Sequence, residues 1–214
     1  MIERELAAWR RDQRHRLLDI RRMMPSGERH KRAEKLVGNL DSVFATIKGK
    51  TLGIYWPIKH EIDIRKWADA LSGKENIGLA LPVVDEPRQP LSYRVWHIGA
   101  PMTRGFWNIP IPTSTTVVEP DVVIAPLVGC WGMYRLGYGG GYFDRTLAAR
   151  HPRPLAVGIG FEPFRLAQFT PQPHDIPMDV VVTDEAITDA RRQEDTQGNN
   201  VAPTSKSVEP KHFR

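Results

Sequence analysis

Residues 122–149 read VVIAPLVGCWGMYRLGYGGGYFDRTLAA, and this stretch decides the fold. Its first part, 122–128, is a continuous apolar run of the kind found in strands that are covered on both faces. Its last part, 142–149, predicts a short helix. Glycines fill the turn that leads into this helix. A buried strand followed by a glycine-rich turn and a helix is typical of α/β folds with a parallel sheet.

The same alternation continues on both sides of this stretch. The remaining β-rich runs and helical segments are, in chain order, 51–56, 64–71 (helical), 77–84, 91–96, 155–161, 163–168 (helical) and 180–183. This pattern predicts a three-layer α/β/α fold, built as a single domain around an open and largely parallel sheet, with a mixed sheet as the alternative.

The first 48 residues are predicted to form a helical part that precedes the sheet. One helix is expected over residues 3–23, where apolar side chains recur at helical spacing among arginines. Pro25 breaks this helix. Ser26 then offers an N-cap side chain for a second helix that runs to about Thr46.

The composition bounds the class of protein. The chain has 214 residues, 41% of them hydrophobic, and a single cysteine, Cys130, which is expected to lie in the core. These values fit one domain, residues 1–188, and a polar tail, 189–214, that is predicted to be disordered. No apolar run approaches the ~18 residues that cross a bilayer. The N-terminus is charged, so we expect a cytoplasmic protein.

Positive charge is concentrated at the N-terminus. The net charge is +5, and residues 1–36 contain eleven Lys/Arg against six Asp/Glu, so the rest of the chain is neutral overall. A nucleic-acid-binding protein usually carries a broad basic face, and this distribution disfavours one. Arg10 and Arg14 are four residues apart, so they either clasp an anion together or belong to a solvated basic helix face.

The glycine loop, residues 137–141 (GYGGG), is the strongest chemical signal in the sequence. Glycines let the backbone approach a bulky anion, successive N–H groups can converge on phosphate oxygens, and the following helix N-terminus adds favourable partial charge. A P-loop needs lysine where Tyr138 stands, and the dinucleotide fingerprint needs glycine where Tyr142 stands. The loop therefore predicts a different kind of phosphate site, with a tight packing turn as the alternative.

Two acidic residues are candidates for a metal site. Asp144 follows the glycine loop closely, so its carboxylate can hold magnesium against bound phosphates or favour the first turn of a helix. Asp179 is a candidate for a second carboxylate on the magnesium side. Asp175 and His174 are expected to shape the proline-bounded turn before the last strand.

Aromatic residues near a further acid fit a flat heterocyclic ligand. Trp56 and Trp107 can stack on such a ring, and Glu61 can accept two hydrogen bonds from an aminopyrimidine. The alternative places these tryptophans in the core or at its rim.

Together these residues resemble the 5-formyltetrahydrofolate cyclo-ligase family, also called 5,10-methenyltetrahydrofolate synthetase, from about residue 8 to residue 186. The most specific match is RLGxGxGYFD at residues 135–144. The supporting segments are, in order, EID at 61–63, WNIP at 107–110 and MD at 178–179. Arg10 and Arg14 are a weaker match, and Arg10 stands where many relatives have lysine.

The resemblance implies an enzyme that converts 5-formyltetrahydrofolate to 5,10-methenyltetrahydrofolate at the expense of ATP, with release of ADP and phosphate. The implied ATP-binding residues are Arg10, Arg14, Arg135, Leu136, Gly137, Tyr138, Gly139, Gly140, Gly141, Tyr142 and Phe143. The implied folate-binding residues are Trp56, Glu61, Trp107, Tyr138 and Tyr142. The implied catalytic residues are Arg135 and Tyr142, and the implied Mg²⁺ ligands are Asp144 and Asp179.

One departure and two alternatives accompany this resemblance. Some relatives have basic residues where this loop has Tyr138 and Gly140, so the preference for polyglutamated folate stays open. A non-catalytic relative has no chemical reason to retain the candidate residues of both substrates. A nucleic-acid-binding protein conflicts with the charge distribution. We therefore expect a monomer that acts on folate and ATP, with no nucleic-acid or membrane partner.

Overall fold

The computed structural model describes residues 3–47 and 49–192. Its helices are α1 (Glu3–Met23), α2 (Ser26–Phe44), α3 (Arg65–Glu75) and α4 (Tyr142–Ala149). Its strands are β1 (Thr51–Gly53), β2 (Gly78–Val83), β3 (Ser92–Trp96), β4 (Met102–Arg104), β5 (Pro110–Pro112), β6 (Val122–Pro126), β7 (Gly129–Trp131), β8 (Tyr134–Leu136), β9 (Leu155–Ile159), β10 (Val180–Val182) and β11 (Ile187–Asp189). Short 3-10 turns lie at Phe106–Asn108 and Glu162–Phe164.

One open sheet organises the domain, with the strand order β11-β10-β9-β6-β1-β2-β3. The inner strands β10, β9, β6, β1 and β2 run parallel, and the edge strands β11 and β3 pair antiparallel with their neighbours. The register is continuous across the centre, where Leu52 pairs with Val122 and Ile124 pairs with Val157. The predicted α/β class with its largely parallel sheet is confirmed, and the sheet is mixed at both edges.

Alternate residues of the inner strands point to opposite faces and build the three layers. Leu52, Ile124 and Val157 pack with the apolar sides of α1, α2 and α3. Ala125 and Ala156 face the other way, toward α4 and the β7–β8 hairpin. Because α4 leads into the parallel strand β9, the start of α4 lies at the edge where the parallel strands end.

Several predicted elements needed correction. The helix predicted at 163–168 is wrong, because Arg165 forms a bridge with Cys130 and the Leu166 N–H donates to the Cys130 carbonyl at 2.7 Å. Only the 3-10 turn Glu162–Phe164 forms there. The sequence analysis also missed β4, β5, β7, β8 and β11, since strands of three residues are too short to show a period.

The start of α2 also differs from the expected capping. Pro25 occupies the N-cap position, without a side-chain cap hydrogen bond, and Ser26 is the first helical residue. The Pro25 carbonyl accepts the Arg29 N–H at 2.9 Å, so the helical hydrogen bonds begin one residue before Ser26. Cys130 is buried, as predicted.

The C-terminal part of the described chain remains attached to the sheet. The predicted tail, 189–214, begins within β11, and Arg191 and Arg192 form ion pairs with Asp189. Residues 193–214 lie outside the described residues. Among the described residues, no helix is long and apolar enough to cross a membrane.

Candidate active site

The candidate site lies at the topological switch point of the sheet. The chain passes from β1 to β2 on one side and later enters β6 on the other side of β1. Loops that leave β1 and β6 therefore diverge and open a crevice, which is the usual ligand position in open α/β sheets. Glu61 follows β1, and the glycine loop follows β6 by way of the β7–β8 hairpin.

The glycine loop requires glycine for backbone reasons and for space. Gly139 and Gly141 have φ angles of 99° and 65°, in the left-handed region that side chains rarely adopt. A Cβ at Gly139 would lie 3.3 Å from Arg14 Cζ, so glycine also lets this guanidinium approach the backbone. Gly141 occupies the N-cap position of α4. The loop thus presents its backbone beside a cation and a helix start.

Two guanidinium groups adjoin this loop, Arg14 from α1 and Arg135 from β8, and that of Arg10 from α1 lies near Arg14. We call these three groups the cationic cluster. Arg14 Nε donates to the Gly137 carbonyl at 2.8 Å. Burial lowers the pKa of Arg14, and the positive charges of Arg10 and Arg135 lower it further. A half-buried cation beside like charges is stabilised by an added anion, so the cluster is suited to phosphate.

Arg135 joins the glycine loop to α4. Its guanidinium donates to Asp144 Oδ2 at 2.6 Å and lies over the Phe143 ring, 5.2 Å from the centroid. Its Nε is buried without a hydrogen-bond partner among the described residues, so the donors of this side chain are not all used. Leu136 is buried in the core, and the partly buried Phe143 packs against the smaller cluster on the other face of the sheet.

Arg10 shares a helix face with Arg14, as predicted, but its guanidinium forms an ion pair with Asp175. Its guanidinium forms hydrogen bonds of 3.0 and 2.5 Å with Asp175 and another of 2.9 Å with the Thr170 carbonyl. Asp175 also accepts the Gln172 N–H at 2.6 Å, which closes the turn that it was expected to shape. Arg10 therefore fastens α1 to this turn, and its charge is largely compensated.

The second half of the crevice is built around Glu61, whose side chain is 3% exposed. Its Oε1 accepts the Tyr138 hydroxyl at 2.9 Å, and its Oε2 accepts the Ile58 N–H at 2.9 Å. Burial raises the pKa of Glu61, although both hydrogen bonds oppose the shift. Because Tyr138 belongs to the glycine loop, one hydrogen bond joins the two halves of the crevice.

Arg21 is the site residue that the sequence analysis missed. Its Nη1 donates to the Tyr138 hydroxyl at 3.1 Å and lies 3.9 Å from Glu61 Oε1. Its helical spacing is the signal that could have revealed it. Arg10, Leu17 and Arg21 are separated by seven and four residues, which places them on one face of α1, and all three are buried. An arginine in phase with a buried leucine points inward.

The aromatic residues separate into two environments. Trp107 lies at the tip of the β4–β5 hairpin, is 64% exposed, and has a left-handed φ of 53°. Its ring stands perpendicular to Tyr142, with 5.4 Å between centroids, and a Cβ at Gly140 would lie 4.0 Å from it. Trp56 instead packs against the Arg65 guanidinium, 4.0 Å from the ring centroid. The structure thus brings Trp107, and not Trp56, to the glycine loop.

The two carboxylates predicted for magnesium have different surroundings. Asp144 lies in the first turn of α4, and its Oδ1 accepts the Ile176 N–H at 3.3 Å. Asp179 immediately precedes β10, and its oxygens accept the Ala156 N–H at 2.7 Å and Arg153 at 2.9 Å. No group of three or more His, Cys, Asp or Glu residues able to hold a metal occurs in the part of the chain that the structure describes. Their joint assignment stays a prediction.

These features define an α/β/α protein whose switch-point crevice joins a glycine loop beside a cationic cluster to a buried carboxylate and an exposed indole. Residues 6–184 match the 5-formyltetrahydrofolate cyclo-ligase family. Since the match spans most of the chain, the protein belongs to this family of enzymes, and the resemblance inferred from its motifs is confirmed.

Individual relatives agree with this membership. The 5-formyltetrahydrofolate cyclo-ligase of Mycolicibacterium smegmatis is 28% identical over 176 residues, which are 78% of this chain and 89% of that protein. The one of Mycoplasma pneumoniae is 35% identical over 79 residues, which are 35% of this chain and 48% of that protein. The latter match therefore spans about half the length of the relative.

Solved structures share the fold. The NMR structure of Aquifex aeolicus 5,10-methenyltetrahydrofolate synthetase superposes with a TM-score of 0.72 at 28% identity, covering 95% of this chain and 97% of that chain. A Mycoplasma pneumoniae 5,10-methenyltetrahydrofolate synthetase gives a TM-score of 0.67 at 23% identity, covering 82% of this chain and 98% of that chain. The second likeness concerns the fold alone.

Proposed function

We propose that the protein catalyses the ATP-dependent conversion of 5-formyltetrahydrofolate to 5,10-methenyltetrahydrofolate, with release of ADP and phosphate. Family membership supports this reaction. The observation that carries it is the continuity of the crevice: one five-residue loop contacts Arg14 through Gly137 and Glu61 through Tyr138. A loop in this position can hold a phosphate donor against a folate acceptor.

In the proposed reaction the folate formyl oxygen attacks the γ-phosphorus of ATP, and the bond from phosphorus to the ADP oxygen breaks. The resulting imidate phosphate is attacked at its carbon by N10, which loses its proton. Phosphate then leaves, and the methenyl bridge joins N5 and N10. The protein contributes mainly by positioning and by neutralising charge on the moving phosphoryl group, so no covalent nucleophile is needed.

The phosphate half of the site is assigned to the cationic cluster and residues 135–143. Arg14 would bind the β- and γ-phosphates because no carboxylate forms an ion pair with it among the described residues, and Arg135 would join it because its Nε has no hydrogen-bond partner there. Arg10 would add long-range attraction. The glycine backbone and the start of α4 would supply N–H donors. We assign Arg135 to the charge of the transferred phosphoryl group, and Tyr142 to the boundary between the two substrates.

The folate half is assigned to Glu61 and Trp107, with Tyr138 and Tyr142 between the substrates. Glu61 would accept hydrogen bonds from the aminopyrimidine edge of the pterin, and the exposed Trp107 ring would stack on a flat part of the folate. Trp56 is proposed only as a support for the loop after β1, since Arg65 covers its ring.

Magnesium fits Asp144 better than Asp179. Mg²⁺ is commonly held by one or two carboxylates together with substrate phosphates and waters. Asp144 adjoins the glycine loop, and its Oδ1 has only one long contact, so lone pairs remain for an ion that would shield the phosphate charge. We expect Asp144→Asn to raise the Mg²⁺ concentration for half-maximal turnover by about tenfold or more, and Asp179→Asn to raise it less.

Nothing in the site favours a nucleic-acid partner. Of the arginines on which that alternative depends, Arg10 and Arg21 are buried and Arg14 is half-buried, and each has a hydrogen-bond partner within the domain. We propose that the protein acts on folate and ATP as a cytoplasmic monomer.

The reaction is tested by absorbance of the methenyl product. Purified protein is mixed with 5-formyltetrahydrofolate and Mg²⁺, with and without ATP, and the product should appear only with ATP. Gly139→Ala should abolish turnover, because the new Cβ meets Arg14 at a strained φ. Gly132→Ala is the matched control, since Gly132 also has a positive φ but open space around it. A folded protein that binds either substrate without product would overturn the proposal.

A further inference from the structure

Arg21 is a buried cation that spans the crevice without belonging to the cationic cluster. Its side chain is 3% exposed, like that of Glu61. One nitrogen donates to the Tyr138 hydroxyl and approaches Glu61, and the other donates to the Leu127 carbonyl, just after β6. Arg21 therefore connects the loop after β1, the end of β6 and the glycine loop.

We propose that Arg21 is a positioning residue of the folate half: its guanidinium keeps Glu61 a carboxylate and holds the Tyr138 hydroxyl against it. This inference rests on the proposed function, because it assigns the Glu61 carboxylate to pterin recognition. It adds a residue that acts through Glu61 and touches neither substrate.

The charge balance around Glu61 comes first. The titratable groups that face this carboxylate are Arg21 from α1, Tyr138 from the glycine loop, Tyr55 after β1, and the neighbouring Lys59 and His60 of its own turn. Lys59 and His60 are exposed to solvent, and the Lys59 ammonium lies over the Tyr138 ring. Arg21 is the buried cation of this set, so it is screened least by water.

The second step is the chemistry of the carboxyl group. An ionised Glu61 offers two acceptor oxygens, whereas a protonated one presents a hydroxyl donor toward the donor edge of an aminopyrimidine. Burial favours the protonated form, as the raised pKa of Glu61 shows. The Arg21 charge opposes this shift, so its removal would raise the pKa of Glu61 further and favour the donor form over the acceptor form as the pH falls.

The third step separates this role from a structural one. Arg21 also lies 5.1 Å above the centroid of the Phe164 ring, so its loss could merely loosen the packing of α1. Loosened packing would weaken folate binding equally at all pH values. A lost counter-charge weakens it at low pH and is repaired at high pH, where Glu61 ionises unaided.

The experiment measures the dissociation constant of 5-formyltetrahydrofolate by calorimetry between pH 6 and pH 9, without ATP. We expect Arg21→Met to weaken binding about 30-fold at pH 6.5 and only about threefold at pH 9, while Arg21→Lys keeps the wild-type pH profile. Arg32→Met is the matched control. It removes an arginine of α2 whose partners are Glu28, Asp184 and Glu185, not Glu61 or Tyr138, and should leave the profile unchanged.

A double variant keeps the test decisive if Arg21→Met does not fold. Glu61→Gln/Arg21→Met removes both charges, which replaces a buried ion pair by neutral groups. If Arg21 acts through Glu61, adding Arg21→Met to Glu61→Gln changes folate binding less than threefold. A further loss of tenfold or more, or a pH-independent loss in Arg21→Met, would overturn the inference. Absence of methenyl product from the wild type, with normal folate binding, would instead overturn the proposed reaction alone.

Discussion

The two halves of the crevice differ in how their charges are balanced. The cationic cluster contains three guanidinium groups, of which Arg10 and Arg135 each pair with a carboxylate and Arg14 hydrogen-bonds a backbone carbonyl. In the folate half, the Glu61 carboxylate lies beside one guanidinium, and both of its oxygens accept hydrogen bonds. The cationic cluster carries more positive charge than its carboxylate partners balance, whereas the folate half is close to neutral.

This difference indicates what each half can bind. Uncompensated charge near a helix start and a glycine backbone is a preformed environment for phosphates, which bring the missing negative charge. A compensated and buried carboxylate suits an uncharged ligand with hydrogen-bond donors, because a second cation would be costly to bury. Under the proposed function, the cationic cluster would therefore favour the phosphates of ATP, and the compensated carboxylate would favour the uncharged pterin ring of the folate.

The largest effect is expected from a substitution of Arg135 in the cationic cluster. Arg135→Met should lower kcat about 1,000-fold, because it removes a preorganised cation from the site of phosphoryl transfer, and Arg135→Lys should recover part of the loss. Turnover is followed by methenyl absorbance, and thermal unfolding is recorded in parallel because Asp144 loses its partner. Arg165→Met, which breaks the Arg165–Glu162 pair outside the crevice, is the control. Equal losses in the two Met variants would contradict the assignment.

The folate half is tested at its carboxylate. Glu61→Gln should weaken 5-formyltetrahydrofolate about 30-fold or more and ATP less than threefold, because a buried acceptor is replaced by a group that also donates. Calorimetry with each substrate separately measures both effects. Asp63→Asn, which alters a nearby acid that pairs with Arg65, should change neither. If both substrates weakened equally, the division of the crevice into two halves would be wrong.

Within the cationic cluster, Arg14 and Arg10 should respond differently. Arg14→Met should raise the KM for ATP about tenfold with little change in stability, because its charge is uncompensated. Arg10→Met should lower the free energy of unfolding by about 3 kcal/mol, since it leaves Asp175 without its partner, and should raise the KM less. Steady-state kinetics and urea unfolding separate the two effects. The opposite ranking of the two KM values would show that Arg10 is the principal phosphate ligand.

These differences mark how far the sequence could predict the site. Helix spacing places Arg10 and Arg14 on one face of α1, and the structure agrees. Spacing along one helix carries no information about Asp175, which lies 165 residues from Arg10 and forms an ion pair with Arg10 but not with Arg14. The role of each arginine is decided by a tertiary contact, which local periodicity cannot reveal.

The fold shows the same division. Apolar runs such as 122–128 and 155–161 predicted the parallel strands, because burial on both faces leaves a continuous hydrophobic signal. The β4–β5 and β7–β8 hairpins were not predicted, because three-residue strands are specified by their cross-strand partners and not by a periodic sequence pattern. Arg21 was not predicted for another reason. A charged side chain is normally assigned to the solvent face, although Arg21 lies on the same helix face as the buried Leu17.

The smallest expected effect separates backbone strain from ligand contact at Trp107. This residue has a left-handed φ of 53°, a conformation that costs a side chain about 1 kcal/mol, and yet its ring is 64% exposed. Trp107→Gly relieves the strain and loses the edge contact with Tyr142, so stability should stay within about 1 kcal/mol of the wild type. Folate binding should weaken about tenfold, because the indole face is gone. Urea unfolding and folate calorimetry measure the two quantities, and Trp107→Phe should restore most of the binding. If Trp107→Gly bound folate as tightly as the wild type, the hairpin tip would be a structural cover for the glycine loop and the folate half would rest on Glu61.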